Sequence, residues 1–286
     1  MKTVVLLIAS ISIFGAGAVH SAENRPFPIQ QPPRAAKSES GSTEQAKSDA
    51  KRAAEKAAVV KFINANRPEN IMEIRPVDIV DFGHAHVGGT SYLIVVLDFS
   101  GRGYSNTLWV YNRDREGLLR IQEIEAWKMG SLKEIVRDLD HDGNDELILP
   151  QELGQRGIWY PLTAMPTWPA VYRFENGKYV DDSRDFPGFY DEEILPKLNS
   201  ELRTSNTREG AAIVTLEKDK ILRVLGRNPT AGLNEAYQWM NSDDPQILQC
   251  AAAAFRDIGG HQREVREAEQ KVKPAFEHEI ESRNGG

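Results

Sequence analysis

Cysteine is nearly missing from this chain, with Cys250 the single example in 286 residues. No intrachain disulfide can form, so stability has to come from packing or from a bound cation. Cys250 sits in the apolar run QCAAAAF, which marks it as a small buried hydrophobe rather than a reactive thiol. Runs of Lys and Arg are lacking too, and the formal charge is -7 with a pI of about 5.5. That balance excludes a surface built for nucleic acid or anionic lipid. A glycine-rich phosphate loop, a G-x-S-x-G elbow and an H-E-x-x-H helix are also absent, so the common nucleotide, serine-hydrolase and zinc-protease signatures are excluded.

No apolar run reaches the roughly 20 residues of a membrane span. The nearest approach opens the chain, where Lys2 precedes an apolar stretch from Val4 to Ile13 and small residues follow. This is the layout of a secretory signal peptide over residues 1–21, and no cysteine follows it to carry a lipid. The expectation is an exported protein, periplasmic or extracellular, with no transmembrane segment after signal cleavage.

Residues 22–50 are rich in Pro, Ser, Gln, Glu and Lys and read as a disordered linker, because they bury too little to offset their ordering entropy. Residues 51–66 read as a helix, with Ala54, Ala57, Ala58, Lys61 and Phe62 at helical spacing. From 71 to 186 the pattern becomes short β-branched or aromatic runs broken by Gly, Asn or Asp, with no helix expected between them. Asn176-Gly177 is a hairpin turn signal. A faint repeat lays Val77–Leu97 against Lys133–Pro150, each a strand, a polar Gly-containing loop and a second strand. A further strand pair follows each: Leu108–Tyr111 with Leu119–Trp127, then Val171–Phe174 with Lys178–Val180. Two units the size of propeller blades emerge. Residues 187–286 turn helical, with Gly226 and Gly259 as stops and a cap at Ser242-Asp243 before Pro245. The fold class expected is α+β, an antiparallel β-domain of two propeller-blade-like units followed by a helical domain.

The densest chemistry lies in DLDHDGNDELIL, Asp138 to Leu149. With Asp138 as position 1, Asp140, Asp142, Asn144 and Glu146 fall at alternate positions, so a tight loop can turn their oxygens round one centre. Gly143 permits the bend, and a hard cation such as calcium suits an all-oxygen donor set. His141, at an even position, points outward. An EF-hand is excluded, because position 12 is Leu149 rather than Glu and the flanks EIVR and LIL are strand-like.

The loop resembles the calcium loop of FG-GAP/VCBS repeats, of form D-x-[DN]-x-D-G-x-x-[DE]-L before an apolar strand. Asp138, Asp140, Asp142, Gly143, Glu146 and Leu147 carry the match. The resemblance implies a structural Ca2+ that ties two strands of a blade. Its ligands would be the side chains of Asp138, Asp140, Asp142 and Glu146 with the Asn144 carbonyl. Glu146 stands where Asp is commoner, and the first unit keeps only Asp81 of the acids in DFGHAHVGG, so that unit is not expected to bind an ion. Two blades cannot close a propeller, which leaves a two-sheet remnant closed by the helical domain or by another copy. Residues 233–259 resemble one helical hairpin of a HEAT-like repeat.

Other candidates are weaker. His84 and His86 share a strand face but have no third ligand in reach. Asp181, Asp182, Asp185, Asp191, Glu192 and Glu193 form an acidic cluster, read as charge at a helix start. Trp159, Tyr160 and Trp168 form a candidate interaction loop. The functional expectation is an exported, non-enzymatic calcium-binding protein with a binding or scaffolding role toward a protein or carbohydrate partner. The alternative is an exported hydrolase acting on a polysaccharide or similar envelope substrate, using the carboxylates near Asp181–Glu193.

Overall fold

The strands form two four-stranded sheets. The first is β1 (Ile79–Val87), β2 (Thr90–Leu97), β3 (Ser105–Arg113) and β4 (Leu118–Trp127). The second is β5 (Val136–Arg137), β6 (Glu146–Glu152), β7 (Thr167–Glu175) and β8 (Lys178–Asp181). Strand order follows chain order in both, and every neighbour is antiparallel, so each sheet is a simple meander. This is a computed structural model, describing residues 40–66, 73–98, 105–113, 118–153 and 165–284. The signal peptide expected at 1–21, most of the expected linker, and Trp159 and Tyr160 lie outside the described residues. Backbone contacts divide the chain into Met1–Lys47 and Ser48–Gly286.

The apolar run of β2 shows how the sheets stack. Tyr92, Ile94 and Val96 pack with Leu108 and Val110 of β3 and with Leu147, Leu149 and Tyr179 of the second sheet. Leu93, Val95 and Leu97 point the other way, onto Trp109, Tyr111 and Phe82. A strand buried on both faces has no polar side to show, which is why its sequence is continuous rather than alternating. On β6 the alternation separates the layers. Leu147 and Leu149 face the first sheet, whereas Ile148, with Val171 of β7, joins the core of the helices.

Helices close both ends of this stack. On the outer face of the first sheet lies α1 (Ser40–Asn66), through Val59, Val60 and Ile63. Polar contacts clamp it on either side of these. Arg52 donates to Asp81 and to the Phe82 carbonyl and sits 4.0 Å from the Phe82 ring centre. Further along, the Asn64 amide satisfies both the N–H and the C=O of Ile74. Between the sheets in sequence comes α2 (Leu132–Ile135), capped by Ser131.

After β8 the chain enters α3 (Pro187–Phe189), a π-helical turn at Tyr190–Ile194 and α4 (Leu195–Thr204). Then follow α5 (Arg208–Val224), α6 (Leu233–Trp239), α7 (Pro245–Ile258) and α8 (Gln262–Asn284). Ala251 to Ala254 of α7 are all buried, and small side chains there let neighbouring helices approach closely. Cys250 is buried among them, and burial pushes its thiol up. Each fully buried Leu or Phe in such a core is worth roughly 1.5–3 kcal/mol of transfer free energy. The second sheet and these helices share one core, from Ile148 and Val171 to Leu216, Ile221 and Phe255.

The α+β class and the paired meanders agree with the sequence expectation. Four local expectations need correction. The helix expected from residue 51 begins at Ser40, within the expected linker. DFGHAHV continues β1 instead of forming a loop, and the turn is confined to Gly88 and Gly89, both at positive φ. LKEI, read as strand, makes the single turn α2, because Ser131 accepts the Lys133 N–H and Asp81 accepts that of Leu132. The cap of α7 is Asp244, which accepts the N–H groups of Gln246 and Ile247, rather than Ser242-Asp243.

Candidate metal centre

The acidic loop is the connection between β5 and β6. Only Val136 and Arg137 pair before it, against Leu147 and Glu146, so Asp138 leaves the ladder where Glu146 enters it. The turn between them is held by its own carboxylates. Asp138 accepts the N–H groups of Asp142 and Gly143, each at 3.1 Å, and Asp140 accepts the Asp142 N–H at 3.3 Å. Gly143 has φ 86° with open space around it, and His141 takes a left-handed φ of 60° with its side chain exposed.

Side-chain oxygens of Asp138, Asp140 and Glu146 come within 4.8 Å of one another. Glu146 is only 1% exposed. One of its oxygens accepts the Leu139 N–H at 2.9 Å, and the other has no hydrogen-bond partner among the described residues. Burial, reinforced by the charges of Asp140 and Asp142, pushes the Glu146 carboxyl up to about 7. The donor set fits a hard divalent cation. All the oxygens are carboxylate, they converge, and a positive charge between them would reverse the repulsion that raises Glu146.

The five expected ligands do not act alike. Asp138, Asp140 and Glu146 converge, whereas Asp142 turns to Asn144, accepting its N–H at 2.8 Å and its side-chain amide at 3.0 Å. That bond to the Asn144 amide holds the Asp142 carboxyl below its ordinary value. The Asn144 side-chain oxygen accepts the Gly88 N–H at 2.6 Å, the ligand expected of this residue being its main-chain carbonyl.

Sequence reasoning missed several residues here. Asp145, passed over by the alternate-position count, accepts the His86 backbone N–H at 2.7 Å and lies 3.3 Å from His86 Nδ1. Its own N–H donates to the His86 carbonyl at 2.7 Å, and its carbonyl accepts the Tyr179 hydroxyl at 3.2 Å. The loop of the second sheet is thereby fastened to the β1–β2 hairpin of the first. Arg173, on β7, donates to Asp140 at 2.8 Å. The laid-out repeat was the one available signal, since it sets DFGHAHVGG beside DLDHDGNDE.

Trp168, expected in an exposed interaction loop, is instead a core residue on β7, 5% exposed, with Lys220 Nζ 5.0 Å from its ring centre. Its strand also carries Pro169 opposite Pro150 on β6. Neither proline breaks a ladder, because β5 and β8 pair only with other parts of those strands.

The acidic cluster after β8 is spread over separate partners. Asp181 accepts the N–H and hydroxyl of Ser183. Asp182 pairs with Arg173, Asp191 with Arg227, and Glu193 takes both terminal nitrogens of Arg137 at 2.6 and 2.8 Å. His84 is exposed on β1, and His86 is engaged with Asp145.

Comparison with protein-family models, with curated proteins and with solved structures gives no match for this chain. Among the described residues, no helix is long and apolar enough to cross a membrane.

Proposed function

We propose that the protein is an exported calcium-stabilised binding or scaffolding protein in which the loop Asp138–Glu146 holds one structural Ca2+. The observation that carries this reading is the convergence of Asp138, Asp140 and Glu146 within 4.8 Å, with Glu146 withdrawn from solvent. Bound there, calcium would supply charge neutralisation and cross-link the loop. The chain's own residues do the rest. Asp138 shapes the turn, Asp142 caps it, and Asp145 and Asn144 anchor it to the first sheet. The loop's likeness to FG-GAP/VCBS calcium loops supports the choice of ion, and the N-terminal sequence supports export. For partner contact the reading points to the helical surface, where Tyr237 is 46% exposed.

Thermal melting with calcium and then with chelator tests this, on wild type and Glu146→Gln. The glutamine keeps an acceptor for Leu139 while losing the charge. At free calcium near a hundred times Kd, binding to the native state alone adds about 2.7 kcal/mol. For a protein of this size that is a rise of roughly 5–10 °C in wild type. The rise should shrink or vanish in the variant. A wild-type melting temperature indifferent to chelator would overturn the reading.

A further inference from the structure

We propose that Arg173 is the resident counter-cation of the acidic loop and competes with the divalent ion for Asp140. This rests on the calcium reading above and adds what sets the strength of that site.

Arg173 comes from β7, distant in sequence from the loop. Its guanidinium is held on three sides. Nη2 donates to Asp140 Oδ2 at 2.8 Å. Nη1 lies 3.1 Å from Asp182 Oδ2, an ion pair without hydrogen-bond geometry. The plane sits 4.5 Å from the centre of the Phe186 ring. Nε has no partner. The better bond therefore goes to Asp140, one of the three converging carboxylates.

Two consequences follow from charge alone. Without an ion, the guanidinium offsets part of the repulsion among Asp138, Asp140 and Glu146, so the loop keeps its shape. With an ion, the same charge opposes binding, since two unit charges ~4 Å apart repel by about 1 kcal/mol even at the dielectric of water, and a divalent cation doubles that, an effect on the order of tenfold. Asp182 and Phe186 give the guanidinium a second seat. When the cation takes Asp140, Arg173 keeps a carboxylate and an aromatic face and is not stranded.

Calcium titration by calorimetry and melting in chelator test this on the full chain. Arg173→Gln should bind calcium about tenfold tighter, and it should melt lower than wild type in chelator but close to wild type with saturating calcium. Arg173→Lys keeps the charge and should stay near the wild-type affinity. Asp182→Asn removes the second seat, so Arg173 should hold Asp140 more firmly and calcium should bind severalfold more weakly. In the Arg173→Gln background that effect of Asp182→Asn should largely disappear, whereas a general loss of negative charge would act equally in both backgrounds. Equal calcium affinity in wild type and Arg173→Gln overturns the competition and leaves the calcium reading standing. Absence of calcium binding in every variant overturns both.

Discussion

Replacing Asp145 with alanine separates the two jobs of the acidic loop. The residue is inside the loop but faces the first sheet, so its loss should weaken the joint between sheets and spare the ion. The side chain accepts one strong hydrogen bond, from the His86 N–H at 2.7 Å, and stands 3.3 Å from His86 Nδ1. The backbone bonds survive the change, both Asp145 N–H to His86 carbonyl and Tyr179 hydroxyl to Asp145 carbonyl. A hydrogen bond to a charged group contributes about 1.5–3 kcal/mol, and water can reach the His86 amide at this edge, so the expected loss is about 1–2 kcal/mol. For a chain of this length that is a fall of roughly 2–8 °C in melting temperature. The assay is thermal melting in saturating calcium and in chelator, beside a calcium titration. The fall should be equal in the two conditions, with affinity within about threefold of wild type because Asp145 stands outside the converging carboxylates. A fall seen only with calcium, together with an affinity as poor as that of Glu146→Gln, would make Asp145 a ligand. No fall at all would mean the joint contributes nothing.

Three other perturbations follow from the same geometry. Trp168→Ala should cost about 3–5 kcal/mol in denaturant unfolding, as for a large aromatic removed from a core, instead of leaving stability intact as an exposed contact residue would. Gly143→Ala places a side chain at φ 86° with nothing crowding it, so the expected loss is about 1–2 kcal/mol of backbone strain, read by melting in chelator. Glu217, on α5, is pushed up to about 8 by burial, against an ordinary 4.5, although the Thr167 N–H donates to it. The folded protein then holds a proton that the unfolded chain releases, so stability should fall as pH rises from about 4.5 to about 8. Glu217→Gln should flatten that slope, and unchanged slopes in melts across the window would refute it.

How much of this was legible depends on how local each cause is. The meanders were readable because β2 spells out its burial residue by residue and Asn176-Gly177 has the positive φ values its turn requires. The stop at Gly259 was readable for the same reason. Several of the failures depended on a distant partner. LKEI became α2 through Asp81, 51 positions before Leu132. Trp168 was expected in a candidate interaction loop, yet α5 covers it. The loop's oxygens were legible from spacing, but their division was not. Asp142 turns to cap Asn144, and Arg173 arrives from β7, a choice no count along the loop can make.

The stacking also explains how two blade-sized sheets stand without a closed ring. A blade is apolar on both faces, so a pair of them leaves two outer faces to cover. The second sheet's outer face receives a thick layer, with α5 and α7 contributing Leu216, Ile221, Ala251 and Phe255. Among the described residues, the first sheet's outer face is covered by α1, with Val59, Val60 and Ile63, and by Ile74, and polar clamps help to hold it there. One of those clamps, Asp81, accepts from Arg52 and from the Leu132 N–H at the start of α2, which leads through β5 into the acidic loop. The loop's far side reaches the β1–β2 turn through Asn144 and Asp145, and β7 through Arg173. It is therefore a joint where the sheets are fastened together. A cation held there would act on the seam between the sheets, and through Leu139, Arg137 and Arg173 on the helical core beyond.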